Sequence, residues 1–328
     1  MHAIAMPGHL FHRVCEAKEE HFIRSGAFLL EKQISCNQGR DVETIRLYKG
    51  KLDDRQVAIK VKGPLSPWSF EKTINFFLDQ VAIKQLFSHK NVLRLYGCWL
   101  EAEIPMLVFE LISNSTLFDN LHGKGKWVPC MISWLDRVRI AMETSYAICY
   151  MHCGRSRPIV YFLDESFTAK LSNFGFAVSI APTEFQGNSV EGTFGYVDPE
   201  YQETLRVTKK CDVYNFGVVL VEVFTGQNPS KMLTRHMNLV DDFVSLMEEN
   251  CVLQIIDDVV LTQGSNEDIQ AFSELALRCV KNKGNERLTM KEVTLELMRI
   301  QNLVRPKQNN RTVTIVSAQT CFDRMLDY

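Results

Sequence analysis

The sequence predicts an α+β fold in two lobes, a small β-rich lobe followed by a larger helical one. Three observations predict it. Short runs rich in Val, Ile, Leu and Tyr, separated by polar turns, crowd the part of the chain before Asn114. After Asn114-Ser115 the apolar residues recur at helical spacing. Two helix starts in that second part carry a capping-box signature, Ser133-Trp134-Leu135-Asp136 and Thr289-Met290-Lys291-Glu292.

The elements follow in order. Residues 1–19 scatter charged side chains among apolar ones and read as a flexible start without a signal-peptide core. The main domain is read as residues 41–302, with residues 20–40 leading into it. The run from Leu47 to Leu52 and Val57-Ala58-Ile59-Lys60 read as a hairpin with Asp53-Asp54 at its tip. Phe70 to Phe87 holds neither Gly nor Pro and suits a helix. Val92 to Trp99 and Met106 to Ile112 are strand-like, split by Glu101-Ala102-Glu103 and Pro105. The helix that opens at Ser133 and runs to Met151 puts Leu135, Val138, Met142 and Ser145 on one face. Asp212 to Phe224 is apolar on nearly all sides, the pattern of a helix buried through the middle of a lobe. Thr289 opens a last helix carrying Val293, Leu297 and Ile300, and residues 303–328 read as a poorly ordered tail.

Composition excludes several function classes. The 328 residues include 37 Lys and Arg against 39 Asp and Glu, so there is no basic footprint for nucleic acid or anionic lipid. The longest apolar run, Val213 to Phe224, is interrupted by Asn215, Gly217 and Glu222 and is too short to span a bilayer. Ten cysteines show no C-x-x-C pair, so buried free thiols in a reducing compartment are expected rather than zinc or disulfides.

Four motifs in one order carry a resemblance. They are Val57-Ala58-Ile59-Lys60, then Lys170-Leu171-Ser172-Asn173-Phe174-Gly175, then the run Gly192-Thr193-Phe194-Gly195-Tyr196-Val197-Asp198-Pro199-Glu200-Tyr201, then Asp212-Val213-Tyr214-Asn215-Phe216-Gly217. Over about residues 20 to 302 the chain resembles the protein kinases. It is most similar to the plant wall-associated receptor-like kinase group, and within it to the soluble pseudokinases that act as adaptors for a plant NLR immune receptor. The resemblance implies a bilobal kinase-like fold whose glycine-loop region is truncated, preceded by a helical segment over residues 20–40, where Phe22 to Leu30 matches the stretch before the kinase fold in those relatives.

Phosphoryl transfer demands positioning and charge neutralisation, and the residues of that machinery can be checked one at a time. The family spacing puts the three glycines of the phosphate-covering loop at Arg40, Val42 and Ile45, none of which is Gly, and a whole first strand is expected to be missing. Lys60 stands where the family's phosphate-pairing lysine would, but its partner position holds the neutral Gln80. Lys84 falls where an apolar contact is usual. Asn173 replaces the magnesium-binding aspartate before Phe174-Gly175, and an amide neutralises none of the metal's charge. The catalytic loop is expected to be deleted between Tyr161 and Phe162, which leaves no catalytic residue and no metal site to name. Ala58, Lys60, Glu110, Ile112 and Asn173 would line a degenerate ATP site, with Phe109 as gatekeeper. Structural duties fall to Gln80, Phe174, Gly175, Asp212 and an expected Glu200–Arg287 ion pair. Asp212, deprived of the loop it would cap, must bond elsewhere.

The resemblance therefore implies a catalytically inactive adaptor in plant immune or cell-surface receptor signalling. ATP binding is expected to be weak or absent and no cofactor is expected. The implied partners are a leucine-rich-repeat NLR immune receptor and another receptor-like cytoplasmic kinase, with no nucleic acid and no direct membrane insertion. The location implied is cytoplasmic, with peripheral attachment to the plasma membrane through partners left open. Two alternatives stand beside it: a weak ATP-binding Ser/Thr kinase of the same group, and a truncated, non-functional paralogue.

Overall fold

A computed structural model describes residues 29–34, 45–52, 55–62, 66–100, 105–112, 116–123, 132–154, 160–163, 168–172, 185–186, 189–233 and 237–305. The residues expected to be a flexible start and, beyond Arg305, the tail lie outside these ranges, as do Arg40, Val42 and Asn173-Phe174-Gly175. The side chain of Lys84 lies outside the description as well.

The small lobe is a five-stranded sheet in the order β1-β2-β3-β5-β4. Its strands are β1 (Leu29–Ile34), β2 (Ile45–Leu52), β3 (Arg55–Lys62), β4 (Leu95–Trp99) and β5 (Met106–Glu110). Strand β1 corrects two expectations at once. Residues 20–40 were expected to be helical and the first strand lost, yet Leu29–Ile34 pairs antiparallel with β2, Gln33 opposite Tyr48 and Ile34 opposite Leu47. The physical reason is that the outer edge of β2 offers unpaired backbone groups, and a Leu-Leu-Glu-Lys-Gln-Ile run can satisfy them as a strand. Ile45, expected at a loop glycine position, opens β2 instead.

Alternation along β3 divides the sheet's two faces. Val57, Ile59 and Val61 are buried on one face with Val108 of β5. Ala58 faces the other way, among Phe76, Phe77, Val81, Leu107 and Phe109. That second face is covered by helix α1 (Phe70–Leu86), whose start is capped by the Ser69 hydroxyl accepting from Lys72 N.

The large lobe is helical: α2 (Leu117–His122), α3 (Trp134–Gly154), α4 (Pro199–Thr204), α5 (Lys209–Thr225), α6 (Pro229–Leu233), α7 (Leu239–Glu248), α8 (Asp258–Gln263), α9 (Asn266–Cys279) and α10 (Met290–Val304). Helix α5 is buried on every side, as its apolar sequence predicts, and the other helices pack round it. Gly217 sets how close α9 can come, because a Cβ there would sit 2.7 Å from the Cβ of Cys279. The expected capping box at Thr289 forms in full, Glu292 N donating to the Thr289 hydroxyl and Thr289 N to Glu292 Oε2. At Ser133 the hydroxyl accepts from Asp136 N and donates to Asp136 Oδ2, so the reciprocal bond runs through the hydroxyl and not through the Ser133 amide.

Two short antiparallel pairs complete the architecture, β6 (Val160–Leu163) with β7 (Ala169–Ser172), and β8 (Phe185–Gln186) with β9 (Arg206–Val207). The lobes are stitched at β7. Leu93 N donates to Leu171 O and Leu171 N donates to Asn91 O, both at 2.8 Å, so residues 91–93 of the small lobe lie along β7 of the large one.

Candidate functional site

Four of the expected cleft residues, Ala58, Lys60, Glu110 and Ile112, lie on or just after β3 and β5 of the small lobe, while Asn173 lies outside the described residues. Ala58 is paired with Phe109 across the ladder and Lys60 with Leu107, so each pair shares a face. Phe109 is buried at 3% exposure in the apolar cluster under α1, a core-filling position. Glu110 and Ile112 follow as the strand leaves the sheet, both half-buried.

Lys60 reaches α1. Its Nζ donates to Gln80 Oε1 at 3.1 Å and sits 5.1 Å from the centre of the Phe76 ring. The expected Lys60–Gln80 contact is present. It is a hydrogen bond to a neutral amide supplemented by a cation–π contact, not an ion pair. Gln80 is fully buried, and its Nε2 donates back to Phe76 O at 3.2 Å, which fixes the amide's orientation.

Glu110 does more than the sequence suggests. Its Oε1 accepts from Arg94 N at 2.7 Å and lies 3.3 Å from Lys170 Nζ, tying β5 to the start of β4 and to β7 in the other lobe. Beside this junction the His89 ring stacks on Tyr150, with Nδ1 accepting from Asn91 N. Burial, reinforced by Lys90 and Lys170, lowers the His89 pKa to about 4.

Tyr161 and Phe162 are consecutive residues within β6, and the ladder is unbroken across them: Tyr161 lies opposite Leu171 and Phe162 opposite Lys170. Asp212, in the first turn of α5, lies 2.8 Å from His152 Nε2, within hydrogen-bond distance. His152 closes α3, and its carbonyl also receives Lys209 Nζ. His152 is thus one partner of Asp212. Among the described residues no three His, Cys, Asp or Glu side chains come close enough to hold a metal ion.

The expected Glu200–Arg287 ion pair is not formed. Arg287 instead makes a bidentate pair with Asp198, Nη1 to Oδ2 at 2.7 Å and Nη2 to Oδ1 at 2.6 Å, with both side chains buried. Glu200 Oε2 accepts from Gly284 N at 2.8 Å. Geometry explains the exchange. Asp198 caps α4 from just outside the helix, so its carboxylate faces the guanidinium held by the carbonyls of Lys281, Lys210 and Asn282. Glu200, one turn position inside, points at the backbone amide of the 284–286 turn.

The segment before α4 is pinned by its backbone. Tyr201 OH donates to Ser189 O and accepts from Glu191 N, and Ser230 Oγ donates to Phe194 O. Gly195 has φ +92° and lies against Pro229 and Ser230 so closely that no side chain would fit. Tyr196 then reaches the buried Glu222, which His122 also contacts at 2.7 Å. Sequence reasoning missed His152, Asp198 and this Tyr196–Glu222–His122 group. A Glu in the otherwise apolar α5 was the one available signal, since a buried carboxylate requires partners.

A family model described as protein tyrosine and serine/threonine kinase matches residues 31–297. Wall-associated receptor kinase 3 of Arabidopsis thaliana is 38% identical over 270 residues, 78% of this chain and 36% of that protein. Wall-associated receptor kinase 5 of the same plant is 38% identical over 264 residues, 76% of this chain and 35% of that protein. Putative wall-associated receptor kinase-like 16 is 36% identical over 289 residues, 82% of this chain and 65% of that protein. The chain therefore spans little more than a third of the length of the first two, 36% and 35%.

Proposed function

The chain belongs to the protein tyrosine and serine/threonine kinase family, and from that premise we propose that it is a kinase fold which does not itself transfer phosphate and works through protein–protein contacts. The observation that carries this reading is β6. A kinase needs a carboxylate beside the acceptor hydroxyl, on a loop placed by the strands next to it. The backbone runs through Tyr161 and Phe162 as one paired strand, and that continuity supports reading the loop as absent at this point of the chain. The neutral Gln80 against Lys60 and the engagement of Asp212 with His152 support the same reading. Losing general acid–base help alone costs about 10²- to 10⁴-fold in rate.

The folded core gives such a chain a use. The Arg287–Asp198 pair and the pinned 189–195 segment keep the large lobe's surface defined. We assign it an adaptor role in plant immune or cell-surface receptor signalling, with a leucine-rich-repeat NLR receptor and a second receptor-like cytoplasmic kinase as partners. The test is transfer of labelled γ-phosphate to a generic substrate with Mg²⁺ or Mn²⁺, alongside co-purification with candidate receptors. The expected result is no transfer above that of Lys60→Ala. Transfer that disappears in Lys60→Ala would overturn the proposal.

A second reading, weak ATP binding, is favoured by one observation: the Lys60 ammonium is still held at the cleft by Gln80. A ligand bound only by the native state raises the melting temperature. A rise with ATP and Mg²⁺ that Lys60→Ala abolishes would establish it.

A further inference from the structure

Charge is distributed along this chain very unevenly. Residues 238–277 hold nine Asp and Glu and no Lys, Arg or His. Against 37 basic and 39 acidic residues overall, removing those nine leaves the remainder with an excess of seven positive charges. The segment forms α7, the 252–254 turn, α8 and α9, and it gathers at one end of the large lobe. Asp257 N donates to Phe224 O at the carboxyl end of α5, and the start of α3 meets it through Trp134 N to Gln263 Oε1.

Two of the nine carboxylates have internal duties, Asp257 with Arg137 and Asp268 with Trp134 Nε1 and Ser265. Glu267 and Glu274 lie within electrostatic range of Arg299. Asp241, Glu248, Glu249 and Asp258 are exposed and, among the described residues, none forms an ion pair with a cation. Interleaved with them are Leu253, 57% exposed, and Leu261, 41% exposed, with Met237, 48% exposed, just ahead. Large apolar side chains left in solvent beside unbalanced charges of one sign offer a partner of opposite charge both complementarity and apolar area to cover.

We infer that the α7–α8 face of the large lobe docks a partner protein whose surface is rich in Lys and Arg and carries apolar side chains between them. Charge complementarity chooses the occupant. Anionic lipid and nucleic acid are repelled by the same carboxylates. A divalent cation has no cluster of ligands to bind here among the described residues. The inference stands on this surface alone and holds whether or not the chain transfers phosphate.

The test uses the full chain and a fluorescent amphipathic peptide of lysine and leucine, read by anisotropy and by hydrogen exchange. Binding should protect residues 237–263 and weaken about tenfold between about 50 and about 200 mM salt. A D241N/E248Q/E249Q/D258N chain and, separately, an L253S/L261S chain should each bind about tenfold more weakly, while E191Q/E203Q stays within about twofold. Melting curves matched to the parent keep these comparisons valid, and E249Q and L253S singly serve where the combined chains melt early. Equal weakening by E191Q/E203Q, or full binding by L253S/L261S, would overturn the inference. So would either of two other occupants. Self-association lost in the charge variant would mean a second copy of the chain, and tighter binding on removal of residues 306–328 would mean the chain's own C-terminal tail.

Discussion

At the scale of single residues, the exchange of ion-pair partners at Arg287 has measurable consequences. Arg287 and Asp198 are both buried, so Arg287→Ala strands a carboxylate and should destabilise the fold by about 3–5 kcal/mol. Glu200→Gln keeps an acceptor for Gly284 N and should cost about 1 kcal/mol or less. Chemical denaturation of the two variants checks this, and comparable losses would restore the Glu200–Arg287 pairing read from the sequence. His89 supplies a pH signature. The unfolded chain takes up its proton at the ordinary 6.5 but the folded chain only near 4. Stability is therefore full above about pH 6.5 and falls as the pH drops toward 4. His89→Gln should flatten that slope, measured as the denaturation midpoint across the same window.

Elements were legible where local chemistry dictates them. Helix α10 was visible from Thr289 and Glu292, and Thr289→Ala should cost about 1 kcal/mol in a melting experiment. Glu292 is held below the usual carboxylate range by the Thr289 amide and hydroxyl. Its share of the cap therefore exists at neutral pH and is lost as the pH falls through that lowered value. The α5 helix was visible from its all-round apolar sequence. Strand β1 was not, because its reason to be extended lies in the exposed edge of β2, some ten residues downstream, and not in its own residues. The candidate site divides the same way. Lys60, Gln80 and Phe109 were found by position in a motif order, whereas His152 and Asp198 become partners only through packing between distant elements.

For the whole molecule, the junction at β7 decides whether the lobes unfold together. Asn91 Nδ2 donates to Ala169 O at 2.9 Å, and the backbones of residues 91 and 93 bond to Leu171 on both sides. The parent chain should therefore melt in one transition. Asn91→Ala removes a fully buried donor, costs about 1–3 kcal/mol and should split the calorimetric trace into two. A single, merely shifted peak would mean that the lobes are coupled elsewhere, with Glu110 and Lys170 the next pair to test.

The unbroken β6 ladder also constrains ancestry. A one-letter change in a gene alters a side chain and leaves backbone length untouched. On the proposed reading, gaining a loop between Tyr161 and Phe162 needs inserted codons, and the insertion must open pairs at Leu171 and Lys170 that now rest against the inter-lobe seam. Descendants of this chain can drift in sequence for a long time without that route reopening.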